Sequence, residues 1–392
     1  MNYPEVVITS YVRTPIGSFN GVLAPVTATR LGTITIRAAL ERSTLEAAQV
    51  DEVIMGNVLP AGLGQAPARQ AALGAKLPDS VEALTINKMC GSGLKAVMLA
   101  DQAIRAGDAT IIIAGGMESM SNVPYYVDGA RRGFHMGHKG LIDGMIHDGL
   151  WDIYGGVHMG SCADLCAREK HFTREQQDEF AVESYNRALA AQKAGRFEKE
   201  IVPVEIPRRK AEPLLVSEDE EPGRVKFEKI PNLRPVFDKQ GTVTAANASS
   251  INDGAAALAV MSAAKAGELG IKPVARIVGQ ASVAQAPEWF TTAPAKAIIK
   301  VLSKTGLKVE DIDLFEINEA FAVVGLVANQ ALSLDPAHVN INGGAVALGH
   351  PIGASGARIL ATLLSAMEER NVRRGVAAIC IGGGEAAALI VE

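Results

Sequence analysis

Four side chains have types and settings suited to nucleophilic or proton-transfer chemistry: Cys90, His350, Cys380 and Asn318. Cys90 stands in Thr85-Ile86-Asn87-Lys88-Met89-Cys90-Gly91-Ser92-Gly93, where a strand-like run meets a glycine-rich turn and an Ala-rich helical run begins. A sulfur there sits at a helix N-terminus, where unpaired N–H groups and the macrodipole favour an anion. Such a setting can lower a thiol pKa and create a nucleophile. Most free cysteines are instead buried small hydrophobes, and position alone leaves both readings open. His350 lies in the glycine-rich segment Asn342–Gly356, with Pro351 fixing the turn after the imidazole. Cys380 ends the apolar run of Ile379-Cys380-Ile381-Gly382-Gly383-Gly384-Glu385, at a strand end of the kind that borders ligand sites. Asn318, in Glu316-Ile317-Asn318-Glu319-Ala320-Phe321-Ala322, also follows a strand and fits a helix N-cap.

The elements that must position these residues alternate between strand and helix. Strands are expected at Val6–Thr9, Glu52–Asn57, Ala83–Asn87 and Thr110–Gly115, with helices at Thr29–Ser43, Pro67–Ala75 and Ser92–Ala106. After Ile271 the alternation resumes: strands at Ala275–Gly279, Leu314–Ile317 and Val376–Gly382, helices at Thr292–Thr305, Glu319–Leu332 and Gly353–Glu369. This pattern predicts an α/β fold with helical crossovers. The two regions echo each other: each has a strand ending in a Gly pair (Gly115-Gly116, Gly382-Gly383) and a Gly-rich turn opening an Ala-rich helix. Between them, residues 119–248 hold most of the methionines and histidines, one clear helical stretch (Arg174–Ala194), and the charge clusters Arg208-Arg209-Lys210 and Glu218–Glu221. The clusters read as solvated faces, and the region as an insertion lying over the core. The expected division is therefore 1–118, completed by about 249–270, then 119–248 as a loop domain, then 271–392.

Composition narrows the classes. The chain has 392 residues, too many for one ordinary core. Thirty-eight basic against 43 acidic residues give a net charge of −5 and no basic stripe, which argues against a nucleic-acid surface. Four scattered cysteines make no disulfide framework, and Cys162-x-x-x-Cys166 lacks a metal-type partner pair, so no metal is expected. No apolar run reaches the roughly 18 residues of a membrane span. The N-terminal residues carry no signal peptide and the last residues no address tag, and the expected location is cytoplasmic.

Two cysteines, a His and an Asn, each at a strand end or Gly-rich turn, resemble the thiolase family along the whole chain. Val12–Phe19, Asn87–Lys95, Asn318–Ala322, Gly343–Gly356 and Cys380–Gly384 are similar to its signature blocks in the same order. The resemblance implies two similar α/β halves with mixed five-stranded sheets, an inserted loop domain, and assembly as a homodimer or homotetramer. It implies acyl-CoA substrates, with coenzyme A as substrate or product and no other cofactor. By that resemblance Cys90 is the nucleophile, His350 its base, and Cys380 the acid and base for an α-carbon. One oxyanion hole comes from His350 with a water on Asn318, and the other from the N–H groups of Cys90 and Gly382. His158-Met159 in Gly156–Ser161 resembles the acetoacetyl-CoA branch of the family, where the counterparts of Met159 and Phe321 wall the acyl pocket. Ser249 is the implied contact of the pantetheine arm.

The implied function is an acyltransferase of fatty acid metabolism, interconverting two acetyl-CoA with acetoacetyl-CoA plus CoA. The alternatives are a broader-chain 3-ketoacyl-CoA thiolase and, more remotely, an inactive acyl-CoA-binding subunit. Several positions depart from the family pattern. Ser250 replaces a common Gly and could tighten its loop, Val157 replaces a larger residue and could enlarge the pocket, and Glu385 could raise the Cys380 pKa. Arg224 is the nearest candidate for the cation that meets the CoA adenine.

Overall fold

The computed structural model describes residues 3–209 and 211–392; of the first charge cluster, Lys210 lies outside the described residues. The main strands are β1 (Val6–Arg13), β2 (Glu52–Gly56), β3 (Glu82–Ile86), β4 (Ile111–Ser119), β5 (Asn252–Ser262), β6 (Ala275–Ala284), β7 (Leu314–Ile317), β8 (Gly375–Ile381) and β9 (Glu385–Val391). The main helices are α1 (Ala28–Arg42), α2 (Pro67–Gly74), α3 (Ser92–Ala106), α4 (Met159–Glu169), α5 (Arg174–Lys193), α6 (Ala293–Thr305), α7 (Ala322–Leu332) and α8 (Ile352–Arg370).

Strand order is β7-β8-β9-β6-β1-β5-β4-β2-β3, a continuous mixed sheet to which the short strand Gly17–Ser18 adds a tenth member. The N-terminal half supplies five of the main strands, with β2 parallel to both β3 and β4, and β5 antiparallel to β4 and β1. The C-terminal half supplies four, with β7 and β8 parallel and β9 antiparallel to β8 and β6. Within the sheet, Val7 pairs with Arg276 and Ile8 with Ala275 to join the halves. The mixed sheets expected of the two halves thus meet edge to edge, seamed at β1 and β6.

Alternation along each strand sorts side chains into layers. On β5, Ala256, Leu258 and Val260 face one core and Ala255, Ala257 and Ala259 another. On β9, Ala387, Leu389 and Val391 join that first core, while Ala386, Ala388 and Ile390 face a third. The first core also holds residues of α3 and α8, so these two helices pack between the inner faces of both halves. Helix α8 is buried from Ile352 to Met367. The sequence reading missed β5 and β9 as strands. Their Ala-rich runs carry a helical propensity that burial on both faces overrides.

Glycines let the central layers approach closely. A Cβ on Gly116 would sit 2.0 Å from the Gly353 carbonyl oxygen, and one on Gly115 2.0 Å from that of Ala256. Where α3 meets α8, a Cβ on Gly93 would meet Ala357 N at 2.7 Å and one on Gly356 would meet Leu94 N at 2.4 Å. This explains a departure from expectation: Gly115-Gly116 does not end β4, which runs on to Ser119. The pair is there for close approach rather than for a turn.

In the inserted region, α4 accompanies the expected helix α5, whose capping box is formed by Thr173 and Gln176. Asp219 and Glu220 of the acidic cluster are not on a solvated face, although Glu218 is exposed. Fully buried Arg13, at the end of β1, donates to Glu200 at 2.5 Å and to both oxygens of Asp219 at 2.7 and 2.9 Å. Glu220 accepts from the N–H groups of Ser18 and Val22. A buried, forked guanidinium of this kind fastens the insertion to the sheet.

Gly116→Ala is expected to lower stability by about 1–3 kcal/mol, the usual cost of overpacking, because backbone faces the new methyl. Gly223→Ala, which meets nothing within 4 Å, should stay within about 0.5 kcal/mol of the parent. Urea-unfolding midpoints of the two variants compare these costs, and equal midpoints would contradict the close-approach argument.

Candidate active site

The turn between β3 and α3 holds Cys90 through its own polar groups. Asn87 Oδ1 accepts from Met89 N at 2.9 Å, and Ser92 Oγ accepts from Lys88 N and donates to Met89 O at 2.6 Å. Met89 takes φ 45°, a left-handed value that a non-glycine side chain adopts only under constraint. Cys90 keeps partial exposure to a cavity. Burial still pushes its thiol up to about 11, against donation from its own N–H and that of Gly382. The helix N-terminus therefore does not by itself yield the lowered thiol pKa that the sequence suggested. The thiol needs a base.

His350 lines the same cavity. Its N–H donates to Asn252 Oδ1 at 2.8 Å, and its Nδ1 lies 2.6 Å from Ser355 Oγ. Ser355 Oγ donates its only hydrogen to Pro351 O at 2.9 Å, so it must accept from His350 Nδ1–H. The network thus assigns the tautomer in which Nε2 carries a lone pair, and Nε2 has no protein partner. Burial, then the charge of Arg358, pushes the imidazole pKa down to about 3. His350 is neutral and able to accept a proton.

Cys380 is next to last in β8, with 1% exposure. Its thiol is pushed well up, first by burial and second by Cys90. Glu385 is not among the causes; it pairs with Lys88, beside the Cys90 turn. The expectation that Glu385 would disturb Cys380 is corrected by that ion pair. Gly382 lines the cavity, whereas Cys380 and Asn318 are buried beside residues that do.

Asn318 is not an N-cap. Helix α7 starts at Ala322, three residues later than the expected Glu319, and its cap position is Phe321 without a side-chain bond. Asn318 N donates to Ala378 O, its Oδ1 lies 3.5 Å from Arg358 Nη2, and its buried Nδ2 has no protein partner.

The cavity has a volume of about 270 Å³ and brings together Cys90, His350, Gly382, His158, Met159 and Phe321, with Ser249 on its rim. His158 caps α4, its ring accepting from Gly160 N at 3.1 Å and stacking on Phe237 at 4.5 Å. Phe237 meets Phe321 edge-on at 6.3 Å. An outer groove of about 340 Å³ shares Val236, Phe237, Ala248, Ser249, Ser250 and Ile251 with the cavity and reaches Arg224. Arg224 is 56% exposed and pairs with Glu220 at 3.2 Å. Ser250 Oγ lies 2.9 Å from Asn252 Oδ1, so the Ser249 loop is tied to the residue that holds His350. Val157 packs into the apolar cluster behind the cavity and does not line it, so it does not enlarge the pocket.

The sequence reading missed Phe237, Ser355 and Arg358. Nothing in the sequence near Val236-Phe237 points to a pocket. Ser355 stands in the first turn of the helix that follows His350-Pro351, and that spacing was a usable signal.

Family models place the thiolase N-terminal domain over residues 6–264 and the thiolase C-terminal domain over 271–392. The chain is 53% identical over 394 residues to acetyl-CoA acetyltransferase 2 of Arabidopsis thaliana, covering 100% of this chain and 98% of that protein. It is 54% identical over 389 residues to acetyl-CoA acetyltransferase of Cupriavidus necator, covering 99% of each. Among solved structures, the Acat5 thiolase from Ascaris suum in complex with coenzyme A superposes with a TM-score of 0.94 at 46% identity, over 99% of both chains. The Bacillus anthracis acetyl-CoA acetyltransferase gives 0.97 at 41% identity, over 100% of this chain and 99% of that one. The chain belongs to the thiolase family.

Ser355→Ala leaves the buried His350 Nδ1–H unpaired, a loss of about 1–3 kcal/mol. It should lower kcat/KM by roughly 5- to 150-fold with the fold intact by circular dichroism. An unchanged kcat/KM would remove Ser355 from the orientation of His350.

Proposed function

We propose that this chain is an acetyl-CoA C-acetyltransferase, interconverting two acetyl-CoA with acetoacetyl-CoA plus CoA through an acyl-cysteine. The carrying observation is the short cavity in which Cys90 and His350 meet a wall made by His158-Met159, Phe237 and Phe321. That wall suits a short acyl chain, and full-length relatives named acetyl-CoA acetyltransferase support the reading.

In this mechanism His350 Nε2 takes the Cys90 proton as the sulfur attacks the thioester carbonyl, and the Cys380 thiol gives its proton to the departing CoA thiolate. The Cys380 thiolate left behind removes an α-proton from the second acetyl-CoA, and the resulting carbanion attacks the acyl carbonyl on Cys90. The Cys90 thiolate expelled as the C–S bond breaks recovers its proton from His350. Acylated Cys90 cannot ionise, so it adds no charge against the Cys380 thiolate. The first half-reaction thereby prepares the base of the second. The N–H groups of Cys90 and Gly382, which already donate to the Cys90 sulfur, are placed to receive an oxyanion next to it. Each such donor is worth roughly 10²–10³ in rate. Asn318 Nδ2, buried without a protein partner, is the proposed anchor of the other hole.

The outer groove past Ser249 to Arg224 is the proposed path of the pantetheine arm and nucleotide of CoA. We also propose a homodimer or homotetramer. Strand β3 is a sheet edge with Leu84 exposed, and the segment from Tyr125 to Tyr154 exposes Tyr125, Phe134, Met136, Leu141 and Tyr154. Among the described residues no helix is long and apolar enough to cross a membrane. The four cysteines are all unpaired, which suits the cytoplasm.

Thiolysis of acetoacetyl-CoA, run beside 3-ketooctanoyl-CoA, tests the substrate: fast C4 turnover with little C8 is expected. Preference for C8 would move the protein to the broader-chain reading, and activity on neither would favour the silent subunit. Cys90→Ala should abolish acyl transfer altogether. Cys380→Ser should lose condensation but keep measurable acylation of Cys90, and equal loss of both half-reactions would overturn the division of roles.

A further inference from the structure

Glu385 has no part in the steps above. It opens β9 inside the sheet, its backbone paired with Ile381 of β8 on one side and Ala284 of β6 on the other. The glycines before it make the tight turn from β8, with Gly383 at φ 87° and Gly384 at φ 82°, and Gly384 O accepts from Gln285 N at 2.9 Å. The Glu385 carboxylate is thus carried by a well-anchored part of the molecule. It accepts from Lys88 Nζ, which belongs to the turn that holds Cys90. The Lys88 backbone brackets that turn, its N–H donating to Ser92 Oγ at 2.9 Å and its carbonyl accepting from Gly91 N at 3.1 Å.

The two turns also touch directly. A Cβ on Gly91 would come within 2.4 Å of Ile381 Cδ1, and one on Gly382 would lie 3.9 Å from the Met89 side chain. Each turn supplies one N–H group of the proposed oxyanion hole, Cys90 from one and Gly382 from the other. Contact limits how near the turns can come but does not stop them from parting, and Met89 at φ 45° strains the Cys90 side. The geometry points to Lys88 and Glu385 as a positioning pair: their ion pair staples the Cys90 turn to the β8–β9 turn and so sets the spacing of the two N–H donors. Neither side chain lines the cavity or the outer groove, and neither charge is among the causes that set the Cys90 and Cys380 thiols. The pair therefore acts through backbone placement, not on substrate or on the charge of the sulfurs.

A double-mutant cycle tests the staple. Lys88→Met, Glu385→Gln and the double variant are compared with wild type in acetoacetyl-CoA thiolysis. The side chains are 28% and 34% exposed, so no variant strands a charge in the core. Each single change should lower kcat by about two- to fivefold, the range that a partly solvated pair supports, with KM unchanged. The double variant should lose no more than the worse single one, because either change already opens the staple. Alkylation of Cys90 by iodoacetamide develops no oxyanion, so its rate should hold in all three variants. Losses that multiply in the double variant would overturn the pairing. Opposite effects of the two single changes would do the same, since they would mean charge acting on the thiol. Alkylation that slows in step with thiolysis would also overturn it, by showing a Cys90 turn that is misshapen as a whole. The inference rests on Cys90 as nucleophile, with its own N–H and that of Gly382 as the oxyanion hole. A wild type that stays fully active after Cys90 alkylation would sink that underlying reading. An active, alkylation-sensitive wild type whose three variants match it would sink the staple alone.

Discussion

The rest of the structure depends on how closely α3 and α8 cross. Each helix begins beside a residue of the site, α3 just after Cys90 and α8 just after His350. Their first turns meet at Gly93, Leu94, Gly356 and Ala357, where a single added methyl would strike backbone. Side chains cannot separate the two helices there, so a thiol from one half of the chain and an imidazole from the other come to share one small cavity. Glu118 reinforces the junction by accepting from Val58 and Leu59 of one half and Gly353 of the other. The chemistry is thus fixed by backbone packing rather than by flexible side chains reaching across a gap.

Electrostatics follow from the same packing. Burial raises both thiols and lowers the imidazole, so the resting site holds neutral groups rather than an ion pair. Neutral groups cost less to bury than charged ones. On the proposed mechanism charge is created only when a substrate arrives, and each proton transfer has a group of the site to receive it. The buried polar residues behind the site have a different task. Arg13 with Glu200 and Asp219 holds the insertion, and with it His158 and Met159, in register with the sheet.

Much of the site was legible because its residues are chemically conspicuous. Cys90, His350 and Cys380 stand at glycine-rich turns or at the end of a buried strand, and the structure brings Cys90, His350 and Gly382 to one cavity. The elements that failed to read were those whose state depends on burial. Ala255–Ala259 in β5 and Ala386–Ala388 in β9 lie flat in the sheet because neighbours cover both faces, which no local propensity reveals. Asn318 looked like a cap because caps are local, yet its partner Arg358 is 40 residues away. Asp219 and Glu220 looked solvated because a charge cluster does not disclose that a buried arginine awaits it.

The cavity has two kinds of wall. One is backbone and small side chains of the central layers, around Cys90, Gly382 and His350, where Gly91 already lies so near Ile381 that an added Cβ would approach it to 2.4 Å. The other is the larger side chains Met159, Phe237 and Phe321, carried by the insertion and the start of α7. Reshaping this enzyme for bulkier acyl groups is therefore a one-sided task. Room can be carved from Met159, Phe237 and Phe321, while Gly382 and the backbone beside Cys90 offer nothing to trim.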